Sequence, residues 1–116
     1  MRTLTAPSIL KRSAWATLIV AALFAFALAR AFADEAKIGI DNFAFTPDVL
    51  TVKPGTTVTF QNHDDIPHLV VDTAGKFRSK ALDANDAYQV TFDKPGEYAY
   101  YCGLHPHMKG KIVVAP

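Results

Sequence analysis

The chain has 116 residues, half of them hydrophobic, with 12 Lys and Arg residues against 11 Asp and Glu residues. This balance of charge, without a basic stripe, argues against a nucleic acid as partner. The sequence contains no internal repeat and no low-complexity tract. Its length therefore suits one small domain behind an N-terminal segment.

Residues 1–33 have the layout of a secretory signal peptide. A basic region precedes the apolar stretch 14–29, and Ala-Phe-Ala at 31–33 offers a cleavage site for signal peptidase. We predict cleavage after residue 33, export to the periplasm, and a single domain at 34–116 that is not inserted in the membrane. The alternative is an uncleaved leader that anchors the protein, although a membrane-spanning helix needs roughly 20 apolar residues.

Residues 34–116 alternate short apolar runs with turn residues and contain no convincing helix-period stretch. Val, Ile, Thr, Tyr and Phe fill these runs, as is typical of half-buried strands, and Pro-Gly pairs at 54–55 and 95–96 predict turns. The pattern predicts an all-β domain, an antiparallel sandwich or barrel. We expect seven strands, at about 36–41, 49–53, 56–62, 68–71, 88–92, 96–101 and 109–114.

A group of potential metal ligands lies near the C-terminus. Cys102, His105 and Met108 follow one another at intervals of three residues, which places them on one tight loop. His68, directly after Pro67, is the natural source of a fourth donor. Two imidazoles, one thiolate and a weak axial thioether are the ligand set of type I copper, whereas structural zinc prefers four strong ligands. The sequence therefore predicts a copper site.

These residues also carry a resemblance to a known family. The chain reads Asn62-x5-His68 and then Gly96-x-Tyr98-x-Tyr100-x-Cys102-x2-His105-x2-Met108-x-Gly110. This pattern resembles the small type I blue copper proteins, the cupredoxins, and the short ligand loop is similar to that of amicyanin. The resemblance covers essentially all of 34–116. It implies a Greek-key β-sandwich and one type I copper ion with four ligands: His68, Cys102, His105 and Met108.

The resemblance further implies a carrier of single electrons between Cu(I) and Cu(II), with no enzymatic activity of its own. In this family the ring edge of the residue matching His105 reaches the surface. We expect an apolar patch around it, suited to brief docking of redox proteins onto a monomer. The expected patch residues are Ile66, Pro67, Leu104 and Pro106.

Three other kinds of function are alternatives to electron transfer. A copper-trafficking protein without electron transfer would be expected to carry Met-rich or His-rich tracts, and this chain has two Met residues. A multicopper enzyme needs further copper sites and at least two domains. The lone Cys102 could instead be a buried apolar residue, an intermolecular disulfide or a nucleophile beside His105, although no third orienting residue is evident.

Several neighbours of the ligands carry separate expectations. Many family members have a polar residue after the upstream His, where this chain has Leu69, so Asn62 is a candidate for supporting the site instead. His107 is expected to be exposed. The segment 63–65 is expected to form a solvated turn, and a second cation site built from this segment and His107 is the alternative.

Overall fold

The computed structural model describes residues 34–116, and the predicted leader at 1–33 lies outside that range. Among the described residues no helix is long and apolar enough to cross a membrane. Eight strands form the fold: β1 (Glu35–Asp41), β2 (Ala44–Thr46), β3 (Val49–Val52), β4 (Thr56–Asn62), β5 (Val70–Asp72), β6 (Ala87–Phe92), β7 (Gly96–Cys102) and β8 (Lys109–Val114).

The strands form two four-stranded sheets, in the orders β2-β1-β4-β6 and β3-β8-β7-β5. The prediction of an all-β sandwich is confirmed, but the sheets are mixed and not wholly antiparallel. β1 pairs with β4 in parallel, and β3 pairs with β8 in parallel. The chain crosses to the second sheet at β3 before it returns as β4. A crossover of this kind is what a parallel pair requires.

All seven predicted strands are present, with shifted ends, and the structure adds a short one. The added strand β2 pairs with β1 through a two-residue turn at Asn42-Phe43. Both turn residues have positive φ, 51° and 59°, a conformation that usually requires Gly or Asn. A turn with Phe at this position gives no clear sequence signal. His68 precedes β5 and makes only an isolated bridge to Leu82.

The core lies between the two sheets and ends beneath the predicted metal site. Tyr98, Tyr100 and Cys102 are buried along one face of β7, as their period of two predicted. The Tyr100 ring packs edge-on against Phe45 and Phe60 of the facing sheet, with centroid distances of 4.8 and 5.2 Å. Cys102 therefore emerges from a buried interior that is rich in aromatic side chains.

Candidate metal centre

The loop that follows β7 is closed by hydrogen bonds of its own backbone. The His105 N–H donates to the Cys102 carbonyl at 3.2 Å, and the Met108 N–H donates to the His105 carbonyl at 2.9 Å. The Cys102 N–H donates in turn to the Met108 carbonyl at 3.0 Å. Two successive turns thus fix the three residues before any ion binds, with Met108 buried against the core.

His68 reaches the same place from the segment between β4 and β5. Its backbone exchanges two hydrogen bonds with Leu82, of 3.0 and 2.7 Å, and its side chain is fully buried. This pairing anchors the residue against a different part of the chain from the ligand loop. The imidazole is therefore positioned by the tertiary structure and not by a local turn.

The three strong donors meet around one point. The Cys102 Sγ lies 3.6 Å from His68 Nδ1 and 3.7 Å from His105 Nδ1, and all three donor atoms lie within 4.8 Å of one another. With metal–sulfur and metal–nitrogen bonds of about 2.3 and 2.0 Å, a trigonal metal separates sulfur from nitrogen by about 3.7 Å. The donor set therefore fits a trigonal metal ion, and with Met108 it forms a typical copper-ligand arrangement.

Leu69 supports the cysteine through its backbone. Its N–H donates to the Cys102 Sγ at 3.4 Å, and its carbonyl accepts from the Gly103 N–H at 2.9 Å. A Cβ on Gly103 would lie 2.5 Å from the Leu69 side chain, so Leu69 packs directly over the start of the ligand loop. The hydrogen bond to sulfur needs no polar side chain at position 69, which explains how Leu is accommodated there.

Asn62 is the supporting residue that the sequence suggested. Its fully buried amide donates to the carbonyls of Ile66 and Leu82 at 2.8 and 2.9 Å, and its Oδ1 accepts from the Asp64 N–H at 2.9 Å. These bonds fold the segment that leads from β4 to His68. Asn62 thus supports the upstream histidine, whereas Leu69 contacts the ligand loop.

Asp64 contacts a predicted ligand, although the sequence did not predict it to lie at the site. Its carboxylate lies 2.8 Å from His68 Nε2 and accepts hydrogen bonds from the backbone N–H groups of Asn42 and Phe43 at 2.7 and 3.0 Å. Burial by itself would raise the pKa of this carboxyl, but the bonds from Phe43, His68 and Asn42 together lower it. The available signal was a carboxylate four residues before a ligand histidine.

The prediction of a solvated turn at 63–65 is therefore wrong for Asp64, although His63, Asp65 and His107 are exposed as expected. Of the Asp, Glu, His and Cys side chains in 34–116, the group brought close enough to share an ion is His68, Cys102 and His105. The alternative second cation site receives no support, because Asp64 points its carboxylate at His68.

Phe43 is a second residue beside the metal centre whose position was not predicted from the sequence. Its ring lies edge-on against the rings of His68 and His105, with centroid distances of 5.6 and 5.2 Å. The side chain is nevertheless 47% exposed. An aromatic ring from the β1–β2 turn thus covers both imidazoles on the solvent side. Phe43 lies in a turn, and its two neighbours in the chain are exposed. A large aromatic residue in such a turn was the only sequence signal of this contact.

Comparisons with known proteins agree with this centre. A family model described as a cupredoxin-like domain matches residues 14–114. Amicyanin-alpha of Methylorubrum extorquens is 40% identical over 107 residues, which cover 88% of each chain. Amicyanin of Paracoccus versutus is 34% identical over 87 residues, which cover 71% of this chain and 66% of the relative.

Solved structures give the same result. A variant of amicyanin in its oxidised state superposes with a TM-score of 0.66 at 34% identity, covering 69% of this chain and 81% of the other. A copper-containing nitrite reductase from Thermus scotoductus reaches 0.67 at 34% identity, but this chain spans only 22% of its length. With the ligand arrangement described above, these matches show that the chain belongs to the cupredoxin family of small blue copper proteins.

Proposed function

We propose that this protein is a periplasmic type I copper protein that carries single electrons between redox partners, with His68, Cys102, His105 and Met108 as ligands. The observation that carries the proposal is the convergence of two Nδ1 atoms on one sulfur, at 3.6 and 3.7 Å. Copper bound there supplies a one-electron couple between Cu(I) and Cu(II). Related amicyanin variants have been solved in an oxidised state and in a Cu(I) form, which supports this chemistry.

The protein contributes a largely buried ligand cage that backbone hydrogen bonds hold in place. His68 and Cys102 are fully buried, and the backbone bonds within the ligand loop hold His105 and Met108 at fixed spacing. The Leu69 N–H places a donor on the sulfur, where hydrogen bonding tunes the potential of such sites. A cage that is fixed in advance needs little rearrangement when its charge changes by one electron.

Electron entry and exit are assigned to His105, because it is the only partly exposed residue among the three strong donors. Pro67, which precedes His68, and Leu104 and Pro106, which flank His105, are exposed, and Leu104 is 49% exposed. With Ile66 they form the docking patch that we propose, and the structure adds Phe43 beside His105. A small apolar patch suits redox proteins that dock briefly onto a monomer.

The proposed location depends on residues 1–33, which we propose to be a signal peptide removed after export. The test is to express the full-length gene, isolate the periplasmic fraction and determine the N-terminus of the protein found there. A protein that begins at Asp34 supports export and cleavage. A protein that stays in the membrane fraction with residues 1–33 attached supports the anchored alternative.

The proposed copper centre is tested by absorption spectroscopy. The purified protein receives Cu(II), and Cys102→Ser is treated in parallel. We expect an intense thiolate-to-copper band in the visible range that is lost in the variant. If the band disappears on addition of a mild reductant and returns with a mild oxidant over repeated cycles, the result would support electron transfer. A band that does not cycle, together with rapid loss of copper to a chelator, would support copper trafficking instead.

A further inference from the structure

Asp64 joins two parts of the chain that both touch the proposed centre. It follows β4 and lies four residues before His68, and its side chain is 13% exposed. Its two carboxylate oxygens accept one hydrogen bond from the His68 ring and two from the backbone of the β1–β2 turn. A single side chain therefore contacts a proposed ligand and the turn that covers it.

The contact with His68 selects one form of the imidazole. A carboxylate only accepts hydrogen bonds, so the proton of the neutral ring lies on Nε2, which is 2.8 Å from the Asp64 Oδ2. The other nitrogen, Nδ1, is then left with a free lone pair. That atom faces the Cys102 Sγ at 3.6 Å, which is the side on which a metal ion would bind.

The contact with the turn stabilises an unfavourable backbone conformation. Asn42 and Phe43 both have positive φ, a conformation that Asn tolerates but that is sterically unfavourable for Phe because of its Cβ. Each N–H group of these two residues donates to one Asp64 oxygen. The two hydrogen bonds to the carboxylate thus stabilise the turn. They hold the Phe43 ring against the imidazoles of His68 and His105.

We propose that Asp64 is the positioning residue of the copper centre: it fixes the His68 tautomer and orientation, and it locks the Phe43 turn over both imidazoles. This inference rests on the proposed function, because it assigns a role toward copper. A carboxylate behind a ligand imidazole makes the imidazole a stronger donor, and loss of such a partner typically costs 10–100-fold in metal affinity. The more highly charged Cu(II) should depend on it more than Cu(I).

The test compares Asp64→Asn with Asp65→Asn. Both variants lose one negative charge at neighbouring positions, but Asp65 is exposed and no hydrogen bond of its side chain occurs among the described residues. For Asp64→Asn we expect Cu(II) affinity to fall 10–100-fold, Cu(I) affinity to fall less, and the midpoint potential to rise. For Asp65→Asn we expect changes of less than about twofold. Equal effects of the two substitutions would overturn the proposal.

A second measurement needs no variant and no copper. Long-range nitrogen–proton NMR correlations of the copper-free wild-type protein report which nitrogen of His68 carries the proton. We expect the Nε2–H tautomer with a slowly exchanging proton, and an Nδ1–H tautomer would refute the role of Asp64. A wild-type protein that lacks the visible copper band would instead reject the proposed function, while the NMR experiment would still decide the contact between Asp64 and His68.

Discussion

At the scale of single residues, Tyr100 shows how tightly the core is built beneath the site. Its hydroxyl is buried without a hydrogen-bond partner among the described residues. Burial, followed by the nearby charge of Asp48, raises the pKa of this phenol. Gly110 is the direct cross-strand neighbour of Tyr100 on β8, and a Cβ at that position would overlap the Tyr100 ring. The Tyr100 ring therefore fits because Gly110, the residue opposite it, has no side chain.

Gly110→Ala is expected to destabilise the protein by about 1–3 kcal/mol, because the added methyl group must displace a buried ring. Gly39→Ala is the matched control, since Gly39 also lies in a strand and a Cβ there would be 3.5 Å from its nearest neighbour, the His63 ring. The free energy of unfolding of both variants is measured by urea denaturation. If Gly110→Ala and Gly39→Ala destabilise the protein equally, the space beside the Tyr100 ring is not what requires Gly at position 110.

Tyr100→Phe is expected to leave the free energy of unfolding unchanged or to raise it by about 1 kcal/mol, because it removes a buried hydroxyl that lacks a partner. The same urea experiment provides the measurement. Tyr98→Phe serves as the contrast, since the Tyr98 hydroxyl donates to the Lys94 carbonyl at 2.7 Å and its loss should cost about 1 kcal/mol. A loss of several kcal/mol for Tyr100→Phe would indicate a hydrogen bond at that hydroxyl.

At the scale of elements, the segment between β4 and β5 carries His68 without regular secondary structure. Its shape depends on Asn62, which makes three hydrogen bonds from the last position of β4. The Asn62 amide donates to the Ile66 carbonyl inside the segment and to the Leu82 carbonyl, which also accepts from the His68 N–H, so it ties the segment to the residue that pairs with His68. The position of a ligand thus depends on one buried amide.

Asn62→Ala is expected to destabilise the copper-free protein by about 3 kcal/mol, roughly 1 kcal/mol for each lost hydrogen bond. It should also speed the loss of copper to a chelator, because His68 is no longer held in place. Gln61→Ala, at the half-buried neighbouring position, should cost less than about 1 kcal/mol. If the copper of Asn62→Ala is retained as well as that of wild type, the segment does not position the ligand.

The sequence predicted those features whose signal is local. Period-two alternation located seven strands, and the three-residue spacing of Cys102, His105 and Met108 located the ligand loop. The contacts of Asp64 with Asn42 and Phe43 join residues that are 22 and 21 positions apart. Neither residue composition nor hydrophobic periodicity predicts a contact of this kind. The crossing of β3 to the second sheet, which makes two strand pairs parallel, is equally a property of the tertiary structure.

At the scale of the whole molecule, the centre joins parts of the chain that are far apart in sequence. Cys102 is the last residue of β7, and His105 and Met108 lie in the β7–β8 loop, while His68 lies 34 residues before Cys102. A bound ion would cross-link these parts in a small domain, where each contribution to stability counts. Because a preformed site does not exist in the unfolded chain, binding of the metal contributes to folding stability.

Copper is therefore expected to stabilise the folded protein strongly. Free copper at 100 times its dissociation constant adds about 2.7 kcal/mol, and each kcal/mol raises the midpoint of thermal unfolding by roughly 4–8 °C in a domain of this size. Calorimetry with and without Cu(I), under anaerobic conditions, measures the shift.

The Cys102→Ser variant should lose most of this shift in the unfolding midpoint. Met108→Leu, which conserves core volume, should keep wild-type stability without copper and lose only part of the shift. An equal shift in wild type and Cys102→Ser would place the ion elsewhere, at exposed groups such as His63 or His107, and would contradict the proposed centre.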